Sequence, residues 1–171
     1  MQRPMRRKRQ ELSLEETYGI VDQATSGVLA LIDDGLPYAV PLSHARVGGT
    51  IYFHCATEGR KVDALRGCAR GSFCVIGQDL VVPERFTTCF RSAVAEGPIR
   101  LVDNGEEKLL GLRALGEKFA PGDEAGLKAE VEGALGRVLV LALDIESLTG
   151  KESIELTRMR AQDDSVAKGE R

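Results

Sequence analysis

Apolar and polar positions along this chain fall into separable blocks, some alternating, some continuous, some at helical spacing. Residues 14–24 (LEETYGIVDQA) predict a first helix, entered at Ser13 as N-cap with Glu15 and Glu16 in the first turn. The apolar run SGVLALI (26–32), hairpin chemistry at Asp33-Asp34-Gly35 and the answering run PYAVPLS (37–43) predict two paired strands. Val47-Gly48-Gly49 then turns into TIYFHC (50–55), so the three strands read as an antiparallel meander. Thr57-Glu58-Gly59 breaks that pattern, and residues 60–66 have the spacing of a short helix with Val62 and Leu65 on one side. GSFCVI (71–76) predicts a fourth strand, while residues 77–86 read as irregular because Pro83 blocks a regular central strand. Residues 87–102 alternate over a long stretch, with Glu96-Gly97-Pro98 predicting a bulge or bend.

The second half turns helical and then returns to strand. Residues 104–119 predict a helix with Glu106 and Glu107 in its first turn and Leu109, Leu112 and Leu115 inward. Pro121-Gly122 ends it, and residues 124–135 follow with Leu127, Val131 and Leu135 on one stripe. RVLVLALDI (137–145) is apolar on both faces, which predicts a fully covered strand. After Lys151 the chain becomes charged, and a disordered tail is expected from Ala161 onward. The fold class implied is α+β: an antiparallel barrel of about six strands, closed or nearly so, with peripheral helices.

Length and composition leave that picture intact. The 171 residues suffice for one compact domain, expected over residues 12–152 between a basic arm (1–11) and a charged tail (153–171). No apolar run is long enough to cross a bilayer. The arm carries Arg3, Arg6, Arg7, Lys8 and Arg9 and no acid, although the whole chain has a net charge of −3. Such an arm suits nucleic acid or acidic lipid, but the acidic body has no basic stripe to extend a nucleic-acid footprint, and a solvated tail or an arm folded across an acidic partner subunit is the preferred reading. Cys55, Cys68, Cys74 and Cys89 lack C-x-x-C spacing and clustered histidines, which argues against a zinc site or redox dithiol and for a reducing, cytoplasmic setting.

Candidate chemistry concentrates in YFHCATEGRK (52–61). A helix start offers unpaired N–H groups and the positive end of a dipole, and Gly59 lets the backbone approach a ligand. Thr57 reads as the cap, with Arg60 and Lys61 in the first turn, where cations are unfavourable unless an anion sits between them. A pair of solvated surface cations is the alternative from spacing alone. His54, on the strand, shares a face with Tyr52 and is either an acid–base group or a half-buried strand histidine. Cys55 has no base pointing its way and reads as structural.

The segments PLS (41–43), IYFHCATEGRK (51–61), SFCV (72–75), FTTCFRSAVAEG (86–97) and DIESLTGKE (144–152) occur in an order that resembles the FMN-binding split barrels of the pyridoxamine 5′-phosphate oxidase superfamily. The branch they are most similar to is that of the nitroimidazole-resistance, or Nim-type, flavoproteins. The resemblance implies a homodimer with FMN in a cleft between subunits and a small-molecule substrate. It assigns the FMN phosphate to Arg60 and Lys61. Pro41, Leu42 and Ser43, together with Phe53, His54, Cys55 and Ala56, would line the isoalloxazine and ribityl chain. Arg91, Ser92 and Lys151, the last from a TGKE turn, would contribute at the dimer cleft. His54 becomes the catalytic candidate, as proton donor or substrate anchor in a two-electron reduction, since the flavin itself carries the electrons. Arg158 and Arg160 are only a loose echo of the arginine-bearing C-terminal signature of true pyridoxamine phosphate oxidases, which argues against vitamin B6 chemistry. The absence of Trp removes a ring that some relatives stack near the flavin. A split-barrel haem protein with His54 as iron ligand, and a non-catalytic flavin carrier, stand as alternatives.

Overall fold

The computed structural model describes residues 4–169 and the side chains of residues 4–162. Its first half runs α1 (Leu14–Gln23), β1 (Ser26–Asp33), β2 (Leu36–Ser43), β3 (Ala45–Val47), β4 (Thr50–Ala56), α2 (Arg60–Gly67) and β5 (Arg70–Val82). Its second half runs β6 (Thr87–Val102), α3 (Gly105–Phe119), α4 (Glu124–Ala134), β7 (Val138–Asp144), β8 (Ser147–Glu152) and α5 (Ile154–Gly169). The strands follow the order β2-β1-β5-β6-β7-β4-β3, with β8 added beside β6, so the path ends at β2 and β3 without closing. This is the expected α+β split barrel, built from eight strands rather than about six. No helix among the described residues is long and apolar enough to cross a membrane.

Two compact units divide the chain, with β5 and β6 each contributing a stretch to both. The larger unit holds residues 25–74 and 95–147. Its β1 and β2 pair in full register from Ser26↔Ser43 to Asp33↔Leu36 around the Asp34-Gly35 turn, both of whose residues have positive φ. An aromatic cluster fills one side of its sheet, Phe73 standing edge-on to Phe53 at 4.8 Å and to His44 at 4.7 Å between ring centroids. The opposite side of β4 and β7 is sealed by α3 and α4, with Tyr52, Val102, Leu112, Val131, Val140 and Ala142 forming a second buried cluster. Strand β7 is therefore covered on both faces, as its unbroken apolar sequence predicts. Strand β6 runs without a break through Glu96-Gly97-Pro98, and Gly97 lies against the Asp144 carbonyl, where a Cβ has no room.

The smaller unit, described over residues 4–24, 75–94 and 148–169, gathers α1, the outer halves of β5 and β6, β8 and α5. Helix α1 starts with a complete capping box: Glu16 N–H donates to Ser13 Oγ at 3.2 Å, and Ser13 N–H donates to Glu16 Oε2 at 2.8 Å. Two sequence expectations are corrected in this unit. Residues 77–82 continue β5, and Pro83 starts only a short 3-10 turn (Pro83–Arg85) at the tip of the hairpin. The charged stretch after Ala161 is helical through Gly169 as part of α5, and its last two residues lie outside the described residues.

Candidate functional site: a glycine-capped helix start and an exposed strand histidine

Strand β4 delivers the chain from the core to the candidate anion site. Its side chains alternate in fate. Phe53 is wholly buried and Cys55 nearly so, whereas His54 and Ala56 are exposed between and after them. The side chain of Phe53 is therefore committed to the aromatic cluster, and only its main chain is open to a ligand. Burial pushes the Cys55 thiol up, and the nearby Lys61 cation opposes this only in part, so the thiol is held protonated.

Beyond Ala56 the chain enters α2 through Gly59, which stands at the cap position with φ +118°, a conformation that glycine adopts without strain. The cap is thus Gly59 and not Thr57. It has no side-chain hydrogen bond, and the space a Cβ would occupy there is open. The Gly59 carbonyl accepts from Val62 N–H at 2.8 Å and Asp63 N–H at 3.1 Å, leaving the N–H groups of Arg60 and Lys61 at the open helix end. A hollow of about 150 Å³ lies here, walled by Tyr38, Ala56, Glu58, Gly59, Arg60 and Lys61 among others. Arg60 is held in place from two sides: its Nε donates to Asp33 at 2.7 Å, and its guanidinium lies 4.3 Å from the centroid of the Tyr38 ring. Asp33 takes only Nε, so the two terminal NH2 groups of the fork stay available. Asp63 pairs with Arg66 at 3.1 Å one turn on, which leaves Glu58 as the acid lining the hollow. Backbone N–H groups, a guanidinium and an ammonium converging on open space fit a phosphate ester.

Strand β2 brings Pro41 and Ser43 to the surface with Leu42 half-buried between them. Ser43 and His54 meet at a second, larger hollow beneath α3 and α4. Tyr38, which braces Arg60, is a residue of the candidate site that sequence reasoning missed. Its signal was its place on the strand that answers the Asp33 turn, two features that hairpin pairing brings close together.

The remaining predicted residues fall in the smaller unit. Arg91, on β6, contacts the wholly buried Glu152 at 3.3 Å and lines a polar cavity of about 560 Å³ beside α1. Ser92 follows it, half-buried. Lys151 belongs to strand β8, not to a turn, and its ammonium stands 5.5 Å from the Phe90 ring centroid. Arg160 is spent on two carboxylates, Glu152 at 2.8 Å and Glu16 at 2.7 Å, so its role in this unit is to tie α5 to β8 and α1. The Glu16 carboxyl lies below the usual range, chiefly through its hydrogen bonds to Ser13 and secondarily through Arg160.

Comparison with known proteins agrees with this architecture. A search of curated proteins gave no significant match. Among solved structures, a conserved hypothetical protein from Mycobacterium tuberculosis superposes with a TM-score of 0.76 at 19% identity, over 90% of this chain and 92% of the other. A candidate 5-nitroimidazole antibiotic resistance protein from Bacteroides thetaiotaomicron superposes with a TM-score of 0.69 at 21% identity, over 83% and 86%. An FAD and heme binding protein from Mycobacterium smegmatis is similar at 28% identity with a TM-score of 0.71, over 85% of this chain and 74% of its own. The family model described as pyridoxamine 5′-phosphate oxidase matches residues 13–152, and the chain belongs to that family.

Proposed function

We propose that this protein is an FMN-binding flavoprotein and an oxidoreductase acting on a small, mainly aromatic molecule. The observation that carries the reading is the glycine-capped start of α2, where Arg60, braced by Asp33 and Tyr38, and Lys61 converge on open space. Family membership and the similarity to a flavin-binding protein support it. When bound, the flavin supplies the two-electron chemistry. The chain's own residues bind and orient: Arg60 and Lys61 hold the phosphate, and Pro41, Ser43 and Ala56 present exposed surface for the rest of the cofactor. His54, exposed on the strand that leads to this site, holds or delivers a proton at the substrate. Arg91, Ser92 and Lys151 belong to this proposal as residues supplied at a cleft between two copies.

The test starts from the absorption spectrum of the purified protein and the chromophore released on denaturation. A two-band yellow spectrum with released FMN is expected. An intense Soret band instead overturns the reading in favour of haem, which the similarity to a protein that binds both cofactors makes the relevant competitor. Arg60→Ala and Lys61→Ala should each weaken FMN binding by about 1.5–3 kcal/mol, roughly ten- to hundredfold in Kd, measured by flavin fluorescence titration. Unchanged affinity in both variants places the phosphate elsewhere.

A further inference from the structure

The outer face of β4 is packed at Tyr52 and hollow at His54, two residues on. At Tyr52, Gly111 lets α3 come down so closely that a Cβ there would stand 2.9 Å from the tyrosine ring. Beyond it the two helices leave a cavity of about 330 Å³ in the larger unit, within the range of small-molecule sites. Leu112 and Leu115 of α3 and Val131 of α4 make an apolar wall, and Ser43 and His54 supply the polar side. Glu130 is the one acid in the lining, which among the described residues contains no lysine or arginine.

This distribution selects a ligand by charge. A carboxylate or phosphate entering the hollow would find no lysine or arginine in its described lining and would face Glu130, with the His54 imidazole as its one favourable polar contact besides Ser43. A neutral molecule instead exchanges apolar surface for the leucine and valine wall and needs only one hydrogen-bonding partner. We propose that the hollow under α3 and α4 binds a neutral, largely apolar small molecule whose single polar end is turned to His54 and Ser43. As a substrate site it rests on the flavoprotein reading above; as a binding site it stands without it. The same charge pattern disfavours phosphorylated substrates in this pocket.

Isothermal titration calorimetry of the full chain with indole, phenyl phosphate and benzoate tests the inference. Indole should bind, and both anions should compete for its site at least about tenfold more weakly than indole itself binds. Ala134→Phe, which adds a ring at a half-buried lining position, should weaken indole at least about tenfold. His54→Ala should weaken it about fivefold, the worth of one hydrogen bond. Phe119→Ala, at the half-exposed rim, provides a variant that does not threaten folding and should cost severalfold in indole affinity. No indole binding, binding unchanged in a folded Ala134→Phe variant and in Phe119→Ala, or displacement of indole by phenyl phosphate at equal concentration overturns the inference. Flavin fluorescence with Arg60→Ala is read separately. Indole binding without flavin binding removes the flavoprotein reading and keeps the pocket, and flavin binding without indole binding does the reverse.

Discussion

His54 owes its exposure to strand geometry. Its neighbours Phe53 and Cys55 point into the core, so the imidazole must point out, onto a face that α3 and α4 cover at Tyr52 but not above His54 itself. Its replacement should therefore cost little stability. His54→Ala is expected to leave FMN affinity within about twofold and to lower turnover of a nitroaromatic substrate by about 10²-fold or more, the usual contribution of a positioned acid or base. Steady-state kinetics decide this, and a variant with wild-type turnover makes His54 only a wall of the pocket. Arg60 illustrates the opposite case. Its charge was legible in the sequence, but the residues that aim it, Asp33 and Tyr38, come from the first hairpin. Thr57 was mistaken for the cap because a hydroxyl is the commoner signal. The chain instead turns at Gly59, whose positive φ makes it the cap, while the helix begins at Arg60 as the spacing predicts.

Among the elements, α3 matters most to the proposed pocket, and a charged network pins it to the sheet. Arg100 of β6 donates to Glu107 of α3 at 2.6 and 2.7 Å and to Asp144 at the end of β7 at 2.7 and 3.0 Å. Thr50 on β4 adds a bond to Asp144 at 3.0 Å, and Tyr52 one to Glu107 at 3.4 Å. The Arg100 hydrogen bonds hold both carboxyls below their ordinary values, which are 4.5 for Glu107 and 3.8 for Asp144. A depressed carboxyl pKa stabilises the fold fully above the unfolded value, and this stabilisation disappears as pH falls through the folded value. Glu107→Gln is accordingly expected to cost about 1 kcal/mol at pH 7, since these groups are partly exposed. That difference from wild type should shrink below about pH 4 in urea unfolding followed against pH. A difference that persists undiminished at pH 2 means the pair does not act through its charge. The elements read least well were β5 and α5. Gly77 and Pro83 weakened the strand signal, although the long β5–β6 hairpin holds it in register, and α5 was hidden because its charges look like a tail until Arg160 meets Glu16 and Glu152.

For the whole molecule, one surface of the larger unit calls for a partner. Val28, Ala30 and Ile32 of β1 lie opposite Pro41, Ala39 and Pro37 of β2, and all six are apolar and exposed, Val28 at 42% and Ile32 at 43%. A two-strand patch of this kind, continuous with Pro41 of the proposed cofactor lining, supports the proposed homodimer with its cofactor between subunits. Sedimentation velocity at micromolar concentration should show a dimer. Ile32→Asp should convert it to monomer and reduce FMN affinity at least about tenfold in parallel. A wild-type monomer that binds FMN tightly rejects the dimer. The signal for this surface was present in SGVLALI, whose outward Val28, Ala30 and Ile32 are apolar like its inward Leu29 and Leu31.

By itself the sequence determined most of the elements and their type: the capped first helix, the Asp-Gly hairpin, the doubly apolar β7, and the strand-to-helix passage that carries His54, Arg60 and Lys61. Those follow from local periodicity, turn residues and charge, which neighbours a few positions away decide. Only the tertiary structure decided which residues serve those groups. It put Tyr38 against Arg60 and Glu152 between Arg91 and Arg160, and it opened the hollow above His54. Each depends on side chains far apart in sequence meeting across strand pairs or helix contacts, and no local pattern encodes such a meeting.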